Sequence, residues 1–297
     1  MKGCISSYMK VGIVQFMAFP DSGLDSIREI AEDEFFGAIE ITTLPGGIRA
    51  EVAKLLTTSK LVVGYGAQPV QLSEKLDINS LSQEQRELAV SRLKSAVDEA
   101  YSLGAGKLAV LSGPAPPVEQ RDKATELLID SLVQICSYAK SKGNLGIILE
   151  VFDGEIDKKC LIGPTAEAVK VAAEVRKHDP SFGILVDLSH LPLLGESAEY
   201  AIKTAGNYLV HAHIGNCLLK DKSHPAYGDK HPPFGTAGSE NDVAELTLFL
   251  KALLDAGYIG EGKQNVVAFE VKPLSGESPQ VVIANAKRTL LEAWARL

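Results

Sequence analysis

Tyr208-Leu-Val-His-Ala-His-Ile-Gly-Asn216 is a short apolar segment that carries histidines at alternate positions. Alternation of this kind predicts a β-strand, and successive side chains of a strand face opposite ways. His211 and His213 therefore share one face, and Gly215 ends the strand before a long loop. The segment predicts a strand that directs two imidazoles toward the same side of a sheet.

Three other apolar runs reach a carboxylate at or near their C-terminal end. They are Gly146-Ile-Ile-Leu-Glu150, Gly183-Ile-Leu-Val-Asp-Leu-Ser-His190 and Val266-Val-Ala-Phe-Glu270. Each run has the length and the β-branched content of a buried strand. We therefore expect the carboxylates of these runs to be possible partners for the imidazoles.

The whole chain alternates β-branched runs with longer helical patterns, which is typical of repeated βα units and a parallel sheet. The eight predicted strands are Lys10–Phe16, Gly37–Thr42, Leu61–Ala67, Lys107–Ser112, Gly146–Val151, Gly183–Leu188, Tyr208–Ile214 and Val266–Val271. A final helix over about Ser278–Arg296 completes the eighth unit. The pattern predicts an α/β fold, a single-domain (β/α)8 TIM barrel over residues 1–297. An open doubly wound sheet is the alternative, although no glycine-rich dinucleotide motif follows the first strand.

Composition limits the classes of partner. The net charge is −8 and no Lys/Arg-rich stripe is present, which argues against nucleic acid and against an anionic membrane surface. The four cysteines lack Cys-x-x-Cys spacing, so neither a disulfide framework nor a thiolate zinc site is expected. No apolar run approaches the ~18 residues of a membrane span, and no signal-peptide pattern is seen. We expect a cytoplasmic protein that acts on a small molecule.

Four polar residues end consecutive predicted strands, from the fifth to the eighth: Glu150, Asp187, His213 and Glu270. In a barrel the C-terminal strand ends converge on one mouth. Three carboxylates that close together repel each other unless a cation neutralises them. This oxygen-rich set predicts one divalent metal ion, Mn²⁺ or Mg²⁺ first, with Co²⁺ or Zn²⁺ also able to bind. The alternative is that each residue is an isolated polar group on the barrel rim.

The ordered set Leu-Glu150-Val, Asp187-Leu-Ser-His190, His211-Ala-His213-Ile-Gly and Phe-Glu270-Val-Lys-Pro273 resembles the xylose-isomerase-like TIM-barrel superfamily. This superfamily contains sugar phosphate isomerases and epimerases, inosose dehydratases, hydroxypyruvate isomerases and the endonuclease-four type of AP endonuclease (family 2). The resemblance implies that the four strand-end residues are the metal ligands and that His190 is directed at the substrate.

Two further residues near the strands are open to different interpretations. His211, by the resemblance, lies below the metal or contacts substrate, and the alternative is a core histidine with satisfied hydrogen bonds. Glu40, in Ala-Ile-Glu-Ile of the second strand, is expected to make a buried structural hydrogen bond, and the alternative is that it faces the pocket.

The loop after the seventh strand is long and rich in proline and glycine, and loops of this length are usually functional. It predicts an inserted lid-like segment at about 217–240. Within it, Asp229-Lys-His231 resembles the Asp-x-His pair that supplies additional metal ligands in the endonuclease-four branch. However, the third and fourth strands end in Tyr65-Gly-Ala-Gln68 and Leu111-Ser-Gly-Pro114, without the histidines of a three-metal cluster, and the net acidity also disfavours DNA.

The predicted activity is that of a divalent-metal-dependent isomerase or epimerase. It would act on a small sugar, keto-sugar or related polyhydroxy carbonyl compound by proton transfer through a metal-bound enediolate. The predicted catalytic residues are Glu150, Glu270 and His190, and the predicted substrate contacts are His190, His211, His231 and Lys272.

Two alternatives to this activity stay open. One is a dehydratase or lyase, either inosose dehydratase-like or keto-glycoside-cleaving, and the other is a non-catalytic metal- or sugar-binding protein. The expected partner is a carbohydrate substrate, with no nucleic acid and no membrane, and a homodimer or homotetramer is the assembly to be expected if the chain oligomerises.

Overall fold

A computed structural model describes residues 3–20 and 23–297, and all eight predicted strands are present. The strands are β1 (Lys10–Ile13), β2 (Ala38–Ile41), β3 (Val62–Gly66), β4 (Lys107–Val110), β5 (Gly146–Glu150), β6 (Gly183–Asp187), β7 (Leu209–Gly215) and β8 (Val266–Glu270). The first strand ends earlier than predicted. The chain turns into a short helix at Gln15, where the amides of Met17 and Ala18 both donate to the Val14 carbonyl.

Helices follow the strands, as expected for repeated βα units. They are α1 (Gln15–Ala18), α2 (Leu24–Glu32), α3 (Gly46–Ser59), α4 (Gln68–Ser73), α5 (Gln83–Ser102), α6 (Arg121–Lys142), α7 (Thr165–Val175), α8 (Leu191–Leu194), α9 (Ala198–Ala205), α10 (Val243–Asp255) and α11 (Pro279–Ala295). The final helix agrees with the predicted 278–296. In the parts of the chain that the structure describes, no helix combines the length and the apolar character needed to cross a membrane.

The strands form one sheet in the order β1-β8-β7-β6-β5-β4-β3-β2, and the pairs whose register is defined are parallel. Strands β1 and β2, at the two ends of this order, are also joined. Val14 forms a parallel bridge with Glu40, and the Gly37 amide donates to the Val11 carbonyl at 2.8 Å. The fold is therefore the predicted single-domain (β/α)8 TIM barrel, and the open doubly wound alternative is wrong.

The backbone contacts divide into two compact units, and the first consists of Met1–Glu40 and Val186–Leu297. In this unit β8 pairs with both β1 and β7, and His213 lies level with Ala268. Small residues line the strands here. A Cβ added to Gly12 would lie 3.0 Å from the Ala268 Cβ and 3.2 Å from the Ala38 Cβ, so the strands pack closely at this level.

The second unit, Ile41–Leu185, contains β3, β4 and β5. The loops that follow β4 and β5 are joined by a bridge between Pro114 and Cys160 and by a hydrogen bond from the Leu161 amide to the Gly113 carbonyl at 2.9 Å. Inside the β5 loop, the buried Asp153 carboxylate accepts from the four backbone amides of residues 155–158. These contacts hold the loops in one conformation at the C-terminal ends of the strands.

Candidate metal centre

Three of the four predicted metal ligands meet in the first unit. Asp187 ends β6, His213 lies in β7 and Glu270 ends β8. The Nδ1 atom of His213 is 2.7 Å from Oε2 of Glu270 and 3.9 Å from Oδ2 of Asp187. Asp187 and His213 are fully buried, while the Glu270 side chain keeps 13% of its surface exposed. The fold therefore brings one imidazole and two carboxylates together at the ends of three neighbouring strands.

Only one of the two carboxylate oxygens of Asp187 accepts a hydrogen bond from the described residues. Its Oδ1 atom accepts from the Ser189 amide at 2.7 Å, but Oδ2 is buried and has no hydrogen-bond partner among the residues described. Imidazole nitrogens surround Oδ2, from His213 and His231 at 3.9 Å each and from His190 at 4.0 Å. Ligands that share one ion at 2.0–2.2 Å lie roughly 3–4 Å apart. The donor set fits a divalent cation bound between them.

Glu40 lies beside both histidines of β7. The Nε2 atom of His211 is 2.7 Å from Oε1 of Glu40, and Nε2 of His213 is 3.0 and 3.1 Å from the two carboxylate oxygens. Burial by itself raises the pKa of Glu40, but the imidazoles of His213 and His211 outweigh it and lower this pKa. The expectation of a buried hydrogen bond at Glu40 is confirmed, and His211 is held by this carboxylate.

The contact with Glu40 determines which nitrogen of His213 can bind a metal. With the proton on Nε2, which donates to Glu40, the Nδ1 lone pair is directed toward Glu270 and Asp187. A carboxylate that receives the far N–H of a metal-binding histidine fixes its tautomer and ring orientation. Burial lowers the pKa of His213, yet Glu40 and Glu270 raise it well above its usual value, so this position attracts positive charge.

A second group of polar side chains comes from the loop between β7 and α10. Oδ1 of Asp229 is 2.8 Å from Nε2 of His231 and 3.2 Å from Nε2 of His190, and all three residues are buried. Burial opposes the charged imidazole, but the carboxylates of Glu270 and Asp229 raise the pKa of His231 to about 9. Asp187, His190 and His231 bring ligand atoms within 4.8 Å of one another, so this group could also hold a cation.

The backbone of His231 is in the left-handed region, with φ of 52°, which is uncommon for a residue other than glycine. Its carbonyl accepts from the Lys272 amide at 2.7 Å, which ties the loop to the chain just after β8. The Lys272 side chain itself is exposed. The structure thus gives Lys272 a backbone role, and its predicted contact with substrate stays a prediction.

Two buried asparagines fix the ends of the predicted lid segment. The Asn216 side chain donates to the Pro233 carbonyl at 3.0 Å and accepts from the Asn241 amide at 2.8 Å. The Asn241 side chain donates to the carbonyls of Leu188 and Gly215, both at 3.1 Å. The segment is therefore packed and hydrogen-bonded rather than free coil, and its role as a lid stays a prediction.

Glu150, the remaining predicted ligand, lies in the second unit at the end of β5 and is level with Leu185 of β6. It is buried, and its Oε2 atom accepts from Nε2 of Gln68 at 2.6 Å. Sequence reasoning noted Gln68 only as the absence of a histidine and did not predict this contact. Asp229 was expected, with His231, only as a possible pair of additional metal ligands, and its contact with His190 at 3.2 Å was not predicted. For Gln68 the signal was a polar residue just beyond the end of β3.

The family model described as xylose isomerase-like TIM barrel matches residues 20–286. The chain belongs to this family. No curated protein matches the chain. Among solved structures, this xylose isomerase-like barrel is similar to a D-tagatose 3-epimerase-like protein, with a TM-score of 0.73 and 20% identity over 97% of this chain and 99% of the other.

Two further solved structures resemble this barrel. The IolI protein, solved with a bound zinc atom, gives a TM-score of 0.74 at 18% identity over 97% of this chain and 99% of that one. The 3-keto-D-glucoside 4-epimerase YcjR from E. coli gives 0.71 at 17% identity over 95% and 98%. At these identities the likeness establishes a shared fold, and the family expected from the sequence motifs is confirmed.

Proposed function

We propose that this barrel is a divalent-metal-dependent isomerase or epimerase of a small sugar, keto-sugar or related polyhydroxy carbonyl compound. The observation that carries the proposal is the meeting of Asp187 Oδ2, His213 Nδ1 and Glu270 Oε2, where the buried Oδ2 has no hydrogen-bond donor among the described residues. Glu150 is retained as the fourth ligand on the sequence resemblance. The names of two structural neighbours, a D-tagatose 3-epimerase-like protein and a 3-keto-D-glucoside 4-epimerase, support the same class.

The donor set suits Mn²⁺ or Mg²⁺, because carboxylate oxygens outnumber imidazole nitrogens. Zn²⁺ and Co²⁺ also fit such a set, and the zinc atom of the IolI structure supports the former. When bound, the ion supplies stabilisation of the negative charge that develops on a substrate oxygen as a neighbouring C–H proton leaves.

Glu270 is the best candidate for the group that removes the proton. It is the most exposed of the three ligands in the first unit, so a substrate can reach it. Burial opposes its ionisation, but His231 and His213 lower the pKa of Glu270 to about 2, so the group is an ionised carboxylate at neutral pH. Glu150 is the second proton-transfer group of the proposal, and His190 contacts the substrate.

The experiment is a deuterium-exchange screen. The Mn²⁺-loaded protein is incubated in D₂O with D-tagatose, D-fructose, an inosose and a 3-keto-glucoside, and deuterium is located by NMR. Deuterium should enter at the carbon beside the carbonyl of the true substrate. Glu270→Gln should slow exchange by ~10²–10⁴-fold, the usual effect of losing a general base.

Glu99→Gln is the matched control, because Glu99 is a buried carboxylate in α5 that accepts from the Leu44 amide at 2.8 Å. It should keep the exchange rate of the parent. Product formed without deuterium would contradict proton transfer and favour a hydride shift. Exchange that ends in loss of a hydroxyl or of a sugar leaving group would identify the lyase instead.

A further inference from the structure

The carboxylate of Glu150 receives a short hydrogen bond from a neutral side chain. Nε2 of Gln68 lies 2.6 Å from Oε2 of Glu150, and the two residues are only 8% and 2% exposed. Hydrogen bonds to an ionised carboxylate are shorter and roughly twice as strong as those between neutral groups. The contact joins the first residue of α4 to the last residue of β5.

The chemistry of the pair fixes the orientation of the Gln68 amide. A carboxylate only accepts hydrogen bonds, so the NH₂ group must face Glu150 and the amide oxygen must face away. That oxygen, Oε1, is buried and has no hydrogen-bond partner within the described ranges. A buried acceptor without a donor costs about 1–3 kcal/mol. Gln68 therefore donates to Glu150 in an orientation that leaves its own amide oxygen without a hydrogen-bond donor among the described residues.

Another glutamine of the same helix, Gln71, contacts the backbone beyond β4 and makes no contact with Glu150. The Gln71 side chain donates to the Leu111 carbonyl and accepts from the Leu111 amide, both at 2.9 Å, so it pairs with the end of β4 as a strand would. The Ala67 amide adds a bond of 2.9 Å to the Ala109 carbonyl. Gln71 is thus satisfied at both polar atoms, and Gln68 is not.

We infer that Gln68 is a positioning residue that holds Glu150 in the orientation needed for metal binding and proton transfer. The inference rests on the proposed function, in which Glu150 is a metal ligand. An amide donor fixes one carboxylate oxygen without neutralising its charge, so the carboxylate keeps its full attraction for a cation. A lysine or arginine at this place would compete with the metal for the same charge.

The test compares two variants of Gln68 with one of Gln71, each in the full-length protein. Gln68→Met removes the amide from a side chain of similar length. Gln68→Asn keeps an amide but withdraws it from Glu150. The second variant is included because a buried thioether could by itself disturb folding. Gln71→Asn is the matched control, because it withdraws a buried amide of the same helix from the Leu111 backbone and leaves Gln68 in place. The probes are Mn²⁺ affinity by calorimetry, the visible spectrum of bound Co²⁺, and the Tm in EDTA.

Both Gln68 variants should bind Mn²⁺ about 10–100-fold more weakly, the usual effect of losing a group that orients a metal ligand, and should change the Co²⁺ spectrum. Gln71→Asn should lower the Tm and leave the Mn²⁺ affinity and the Co²⁺ spectrum unchanged. Parent-like affinity in both Gln68 variants, or an equal loss in Gln71→Asn, would overturn the inference while the proposed function stands. A parent protein that binds no Mn²⁺ would overturn both.

Discussion

Replacing Glu40 by glutamine tests how the barrel interior prepares His213 for a metal. The carboxylate accepts from His211 at 2.7 Å and from His213 at 3.0 and 3.1 Å. The amide of Glu40→Gln has the same shape but only one accepting atom. Its NH₂ group must face one imidazole, and if that imidazole is His213, the ring proton moves to Nδ1, where it blocks metal binding.

The size of the effect follows from the bonds that are lost. At least one hydrogen bond to a charged group disappears, which is worth about 1.5–3 kcal/mol. In a protein of this size each kcal/mol lowers the Tm by roughly 2–4 °C, so the metal-free variant should melt roughly 3–12 °C below the parent. Loss of the group that orients a metal-binding histidine should also weaken Mn²⁺ binding by about 10–100-fold.

The assay combines thermal unfolding in EDTA with calorimetric titration of Mn²⁺. Glu99→Gln serves as the control, because Glu99 is a buried carboxylate that accepts from the Leu44 amide and pairs with Arg49 at 3.1 Å. It should lose stability and keep the Mn²⁺ affinity of the parent. If Glu40→Gln also kept that affinity, Glu40 would be a structural residue only and the argument about the His213 tautomer would be refuted.

Two other predictions concern close packing and thiol chemistry. Gly215→Ala should destabilise the protein by about 1–3 kcal/mol in urea unfolding, because the added Cβ would lie 2.5 Å from the Glu270 carbonyl oxygen, whereas Gly47→Ala, which meets nothing within 4 Å, should not. A parent-like midpoint for Gly215→Ala would mean that the strands separate easily there. Ellman's reagent should modify only one of the four thiols rapidly at pH 8, that of the exposed Cys4, because a hydrogen bond from Ser6 lowers the pKa of this thiol. A second thiol that reacted as fast would contradict the buried placement of the other three cysteines.

The sequence predicted the fold well because its signals were local and repeated. Each strand was a short apolar run, and eight of them alternating with helical patterns left few possible topologies. The exception was the end of β1, where Phe16 was assigned to a strand but lies in a helical turn. The preference of an apolar residue for either state is weak, and the turn is set by hydrogen bonds to Val14.

The candidate site was predicted only where its residues end strands. Asp187, His213 and Glu270 could be placed from strand alternation and chain order. The contact between Gln68 and Glu150 joins residues 82 positions apart, and that between Glu40 and His213 joins residues 173 apart. Such pairs depend on side-chain direction and strand register together, and a single sequence does not supply both.

The asparagine contacts at the ends of the 217–240 segment have a kinetic consequence. Swinging the segment outward would break the bonds from the Asn216 side chain to the Pro233 carbonyl and to Ser239 Oγ, and the bond from the Lys272 amide to the His231 carbonyl, in a single event. At roughly 1 kcal/mol each, these three bonds alone would hold the open population near or below about one molecule in a hundred. A substrate that needed this opening would meet an entry rate set by the rare open population, and its escape would be slowed by the same barrier.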